Sequence, residues 1–143
     1  MIKQISVFLE NAKGTLYQAC RILGDNGIDL IALSIADTAD YGIMRCIVSD
    51  PDTAMKLLVD NGFAASTAEV LAVEVSDKPG GLADVLKLLD EKNINLEYIY
   101  SFIRHASRDA LIVLRVEDNR ACVDVLAANG IRVLQAEEIY AIA

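Results

Sequence analysis

The stretch VLAVEVSDKPGGLADVLKLLDEKNINLEYI, Val70–Ile99, holds a strand, a turn and a helix in sequence. The apolar run AVEV stops at Ser76, and a polar turn with Pro79, Gly80 and Gly81 follows. Leu82, Val85, Leu86 and Leu89 then recur at helical spacing. An earlier stretch, ISVFLENAKGTLYQACRILGDNGIDLIAL over Ile5–Leu33, repeats this plan. Gly14 and Gly80, Leu16 and Leu82, Leu23 and Leu89, Ile28 and Ile94, and Leu30 and Leu96 are each 66 positions apart, and Asp29 falls on Asn95. Further along the offset becomes 68, pairing Asp50 with Asp118, Ala54 with Cys122, Leu58 with Leu126, Asn61 with Asn129 and Gly62 with Gly130. Two extra residues in the second repeat's hairpin account for the change, because loops tolerate length variation. The chain therefore reads as two domains, residues 1–70 and 71–143.

Each repeat reads as strand, helix, strand, strand, helix, strand. Ile5, Val7 and Leu9 alternate onto one face of the first strand, and Leu16, Ala19, Cys20 and Leu23 mark the first helix. Asn26-Gly27 ends that helix, with Gly and Asn suited to the left-handed closing position. Strands are expected at 29–36 and 42–49, then at 95–103 and 110–117. Asp50-Pro51 and Asp118 start the second helices, and Asn61-Gly62 and Asn129-Gly130 close them. The fold class is α+β: two tandem βαββαβ units, each an antiparallel sheet with helices on one face. AEEIYAIA, Ala136–Ala143, echoes AEVLAVEV, Ala68–Val75, and is expected to form a strand.

Composition narrows the function. Hydrophobic residues make up 54% of the 143 and aromatics 6%, so aliphatic side chains fill the core. Thirteen Lys and Arg stand against 21 Asp and Glu, for a net charge of -8. With no basic cluster, a nucleic-acid partner is not expected. No charged leader precedes an apolar export segment and no apolar run reaches membrane-spanning length, so a cytoplasmic protein without membrane contact is expected. Cys20, Cys46 and Cys122 are too widely spaced for a metal site and read as small buried side chains. Asp50 and Asp118 read as helix starts rather than metal or acid–base groups. No metal, cofactor or catalytic residue is expected.

The strand–glycine–helix turns are the candidate binding elements. A helix's first amides lack internal partners and carry positive potential, and a preceding glycine lets a ligand approach the backbone. That suits a carboxylate. Asp77 and Asn11 follow the first strands of their repeats, where Asp77 is able to accept from an ammonium group and Asn11 to donate or accept. Pro79, Gly80 and Gly81 equally suit a purely structural turn. Neither loop is a Rossmann or phosphate-binding turn.

The repeats resemble ACT domains, small ferredoxin-like regulatory modules, through D77-K-P-G-G-L82 after VEV with K92-N-I-N-L96, and more loosely through N11-A-K-G-T-L16 with N26-G-I-D-L30. The resemblance implies an amino acid held at an interface between ACT units. Residue by residue it implies Asp77, Pro79, Gly80, Gly81, Leu82 and Asn95 in the second copy, with Asn11, Gly14, Leu16 and Asp29 in the first. Lys13 stands where the second copy has Pro79, making the second loop the expected principal site. Tyr98, Tyr100 and Phe102 alternate onto one sheet face for packing, while Arg104, His105 and Arg108 read as an exposed loop. The expected function is a non-enzymatic, allosteric amino-acid sensor, a homodimer acting on a metabolic enzyme or regulatory partner. The rival is a protein-interaction adaptor with vestigial ligand loops.

Overall fold

The computed structural model describes residues 1–10, 12–37, 40–103 and 109–142; the candidates Asn11, Arg104, His105 and Arg108 lie outside them. The chain separates into an N-terminal unit, Lys3–Ala68, and a C-terminal unit, Glu69–Ile142 with Met1–Ile2. The N-terminal elements are β1 (Ile2–Glu10), α1 (Thr15–Asp25), β2 (Leu30–Asp37), β3 (Tyr41–Val48), α2 (Pro51–Asp60) and β4 (Ala64–Val75). β4 also opens the C-terminal unit, followed by α3 (Gly81–Glu91), β5 (Leu96–Ser101), β6 (Ala110–Val116), α4 (Asn119–Ala128), β7 (Val133–Leu134) and α5 (Ala136–Tyr140). Strand order is β2-β3-β1-β4 in the first unit and β7-β4-β6-β5 in the second. The pairings β1–β3, β2–β3, β4–β6, β5–β6 and β4–β7 are antiparallel, so each unit has the expected ferredoxin-like arrangement.

The offsets read in the sequence recur in the cores. Ile5, Val7, Leu9, Ala19, Leu23, Met44, Cys46, Val48, Ala54 and Leu58 are buried together in the first unit. Their counterparts Leu71, Val73, Val75, Val85, Leu89, Ile112, Leu114, Val116, Cys122 and Leu126 are buried together in the second. The first five pairs stand 66 apart and the last five 68 apart, so the inserted residues fall before the third strand. Burying an aliphatic side chain of this size stabilises the fold by about 1.5–3 kcal/mol, which makes each sheet–helix layer the main source of stability. Even the strand irregularities match, with register shifts between Leu30 and Ala32 in one unit and between Leu96 and Tyr98 in the other.

Capping repeats as well. Asp50 accepts from the Thr53 amide at 3.2 Å, and Asp118 accepts from the Ala121 amide at 3.1 Å. The Thr53 hydrogen bond holds the Asp50 carboxyl below its ordinary 3.8. At helix ends Asn26, Asn61 and Asn129 each donate a side-chain amide to the carbonyl four residues back. α3 departs, with Lys92 at that position and Asn93 taking the left-handed backbone at φ 55°.

Tyr98 and Tyr100 stack at 6.4 Å, and the β5–β6 register puts them opposite Arg115 and Val113. Phe102 donates its amide to the Leu111 carbonyl and is buried, so the three aromatics share the face away from α3 and α4, as their alternation implies.

The tail differs from its expected strand. Only Val133 and Leu134 pair with β4, and Ala136–Tyr140 is helical. The echo of β4 in AEEIYAIA is apolar periodicity too short to separate strand from helix. Local polar chemistry settles it: Glu138 accepts from the Gln135 amide at 2.7 Å within a capping box. Arg132 donates to Glu74 at 3.0 Å and also pairs with Glu138, tying α5 to the sheet. Ile139 is fully buried.

Candidate functional site

The two strand-to-helix loops share a hydrogen-bond pattern. In the first, the amide of Ala12 donates to Glu10 O (2.7 Å), that of Thr15 to Ala12 O (3.3 Å) and that of Gln18 to Gly14 O (3.0 Å). In the second, Lys78 donates to Ser76 O (2.9 Å), Gly81 to Lys78 O (3.0 Å) and Asp84 to Gly80 O (3.0 Å). Gly14 at φ 90° and Gly80 at φ 83° occupy the helix N-cap in left-handed conformation, which glycine adopts without the Cβ penalty. Neither N-cap glycine offers a side-chain cap, and the Thr15 and Gly81 amides are used within the loops, so among the described residues the amides of Leu16 and Tyr17 and of Leu82 and Ala83 are left for another acceptor. The Lys13-for-Pro79 difference leaves these bonds unchanged, because none of them among the described residues uses the amide that proline lacks.

The glycines have separate roles. Nothing stands within 4 Å of a Cβ built on Gly14 or Gly80. A Cβ on Gly81 would lie 2.0 Å from the Ser76 carbonyl oxygen, so this buried glycine lets strand end and helix start touch. Thr15 occupies the matching place in the first loop and donates its hydroxyl to Ala12 O at 2.9 Å. Asp77, Lys78, Pro79 and Gly80 are exposed, and Leu16 and Leu82 are each 41% exposed.

Asp29 and Asn95 do not join the loops of their own units. Asp29 exchanges bonds with Ser49, its amide donating to Oγ and its carbonyl accepting from the Ser49 amide, both at 3.0 Å. Asn95 O accepts from the Glu117 amide at 3.3 Å. On β3, Tyr41 faces Glu10 at the loop end while Val48 faces Leu30 beside Asp29. Those seven residue steps span about 23 Å. Asn95 instead lines a depression of about 550 Å³ with Lys92, Glu117 and Asn119.

A cleft of about 540 Å³ lies against the first loop, lined by Phe8, Glu10, Ala12, Lys13, Thr15, Gln18, Tyr41, Asn61 and Phe63 among others. Phe8 and Tyr41 make a tilted ring pair with centroids 5.8 Å apart. Sequence reasoning missed both. Phe8 shares the alternation of Ser6, opposite Ile5, Val7 and Leu9, and a large aromatic on that polar side was the available signal.

Burial pushes the Cys46 thiol up to about 12 and the Cys122 thiol up to about 11, away from nucleophilic thiolate. Among the described residues no group of three His, Cys, Asp or Glu is placed to hold a metal ion. Among the described residues no helix is long and apolar enough to cross a membrane.

The whole chain, residues 1–143, matches the family model described as an ACT domain pair. The chain belongs to this family. It is 40% identical to protein BT0572 from Bacteroides thetaiotaomicron, whose crystal structure matches 97% of this chain and 95% of its own with a TM-score of 0.89. The ligand-free regulatory subunit of aspartate kinase from Thermus thermophilus is 15% identical, with 88% and 91% coverage and a TM-score of 0.65, a likeness of fold. The Thermus flavus regulatory subunit is likewise 15% identical, covering 88% of this chain and 90% of its own at a TM-score of 0.60. No curated protein matches.

Within the ACT pair, the positions around the cleft differ between units. Phe8, Tyr41, Phe63 and Ala64 correspond to Glu74, Asp109, Ile131 and Arg132 by the 66 and 68 offsets. Glu74 and Arg132 are joined at 3.0 Å, and Glu138 of α5 adds a second carboxylate. The Glu74 hydrogen bond foremost, with the Glu138 charge next, raises the affinity of Arg132 for its proton.

Proposed function

We propose that this ACT domain pair is a non-enzymatic regulatory protein that binds an amino acid at its strand–glycine–helix loops. The observation carrying the reading is the repeated loop geometry: matching hydrogen bonds, a left-handed N-cap glycine and, just inside each helix, two amides without an acceptor among the described residues. Gly14 and Leu16, with Asn11, form one ligand loop; Asp77, Pro79, Gly80, Gly81 and Leu82 form the other. The carboxylate lies at the helix start, where uncapped amides and the helix dipole favour negative charge. Asp29 and Asn95, remote from the loops of their own units, reach a ligand from a second copy of the chain in a homodimer. Occupancy then shifts whichever assembly binds the ligand better, and a metabolic enzyme or regulatory partner reads that shift in the cytoplasm.

A thermal-shift panel of all twenty amino acids on the full chain, followed by calorimetry of hits, tests this. At a hundredfold excess over Kd, a ligand specific for the native state adds about 2.7 kcal/mol of stability. No rise in melting temperature and no binding heat across the panel would refute the sensor and leave the interaction-adaptor reading.

A further inference from the structure

We infer that the first repeat holds the ligand and that its cleft selects an amino acid with an aromatic side chain. The inference rests on the amino-acid reading and names the ligand class and the copy that binds it. Phe8 is 47% exposed and Tyr41 is 42% exposed, two large rings 5.8 Å apart on the wall of the same 540 Å³ cleft. Apolar surface of this kind remains in water unless something covers it, and a third ring stacks or packs edge-on at such spacings. Phe63 adds another aromatic surface to the lining.

The polar lining has the complement of a zwitterion. Glu10 and Lys13 contribute one charge of each sign to the cleft, and neither has an ion-pair partner among the described residues. Lys13 meets a carboxylate, Glu10 meets an ammonium group, and the aromatic wall takes the side chain. With both charges assigned to the backbone groups, a second ligand charge has no partner. Lys13 thus gains a role that Pro79 cannot supply in the other copy.

The second repeat carries an ion pair at the equivalent place. Glu74 and Arg132 stand where Phe8 and Ala64 stand in the first, and their ion pair is tied to Glu138. α5 follows the last strand of the second repeat alone, so the part of Glu138 in this ion pair has no counterpart in the first.

Calorimetry on the full chain should compare L-phenylalanine, L-tyrosine and L-tryptophan with L-alanine, L-aspartate and L-lysine. The expected result is one site per chain, with the best aromatic ligand binding at least about tenfold more tightly than the others. Phe8→Ala should weaken that ligand about tenfold or more while circular dichroism stays unchanged, since Phe8 is half-exposed. The paired change Phe8→Glu with Ala64→Arg, copying the second repeat, should abolish binding; if it fails to fold, Phe8→Ala carries the test. Lys13→Ala should weaken all amino-acid ligands by a similar factor. Preference for a small or charged amino acid, affinity untouched by Phe8→Ala, or two equal sites per chain overturns this inference alone. Silence across all ligands overturns the amino-acid reading with it.

Discussion

Replacing Gly81 with alanine should damage the fold, whereas the same change at Gly80 should be milder. The new Cβ of Gly81→Ala would lie 2.0 Å from Ser76 O, and the Ser76 carbonyl carbon is 3.1 Å away. Reaching ordinary contact needs a displacement of about 1.4 Å, taking 3.4 Å as the near limit of van der Waals contact. The obstacle is backbone at the end of β4, so no side-chain rotation relieves it. Ser76 O also accepts the 2.9 Å bond from Lys78 that shapes the loop. Overpacking of this order costs about 1–3 kcal/mol, and losing the loop bond about 1 kcal/mol more. The sum is about 2–4 kcal/mol, or roughly 5–15 °C in melting temperature for a chain of this size. Gly80→Ala has open space and meets only the strain of φ 83°, about 1–2 kcal/mol. Urea denaturation followed by far-UV circular dichroism measures the difference, with calorimetry reporting whether the two units unfold together. A Gly81→Ala protein as stable as Gly80→Ala would refute the argument.

Ile139→Ala should destabilise the protein by about 2–4 kcal/mol in the same denaturation assay, because this α5 side chain is fully buried; a change below about 0.5 kcal/mol would contradict its place in the core. Iodoacetamide at pH 8 should leave Cys46 and Cys122 unlabelled in the native protein and modify both after urea unfolding, as read by mass spectrometry. The same burial makes stability depend on alkaline pH. Native Cys46 is raised from 9.0 to about 12, so its contribution is complete below pH 9 and is lost as pH rises towards 12. Stability that increased over that window in wild type relative to Cys46→Ala would contradict the assignment.

Much of this molecule was legible as sequence because the deciding interactions are local or periodic. The ten core pairs of the two repeats follow the offsets of 66 and 68, and the Asp50 and Asp118 caps need only residues three positions on. Asn-Gly helix ends likewise use a carbonyl four residues back. The tail could not be settled by pattern, since AEEIYAIA carries apolar spacing compatible with strand or helix. Its helix is tied down by Arg132, whose partners Glu74 and Glu138 lie 58 and 6 positions away.

The sequence by itself determined the duplication, the strand and helix order, the buried faces and the paired glycine loops. Tertiary structure decided what those loops have beside them. It placed Asp29 and Asn95 at the far ends of their strands, brought Tyr41 across the sheet to Phe8, and set Arg132 against Glu74. Spacing along a chain specifies which face a residue takes, but only sheet order and register specify its neighbour from another strand.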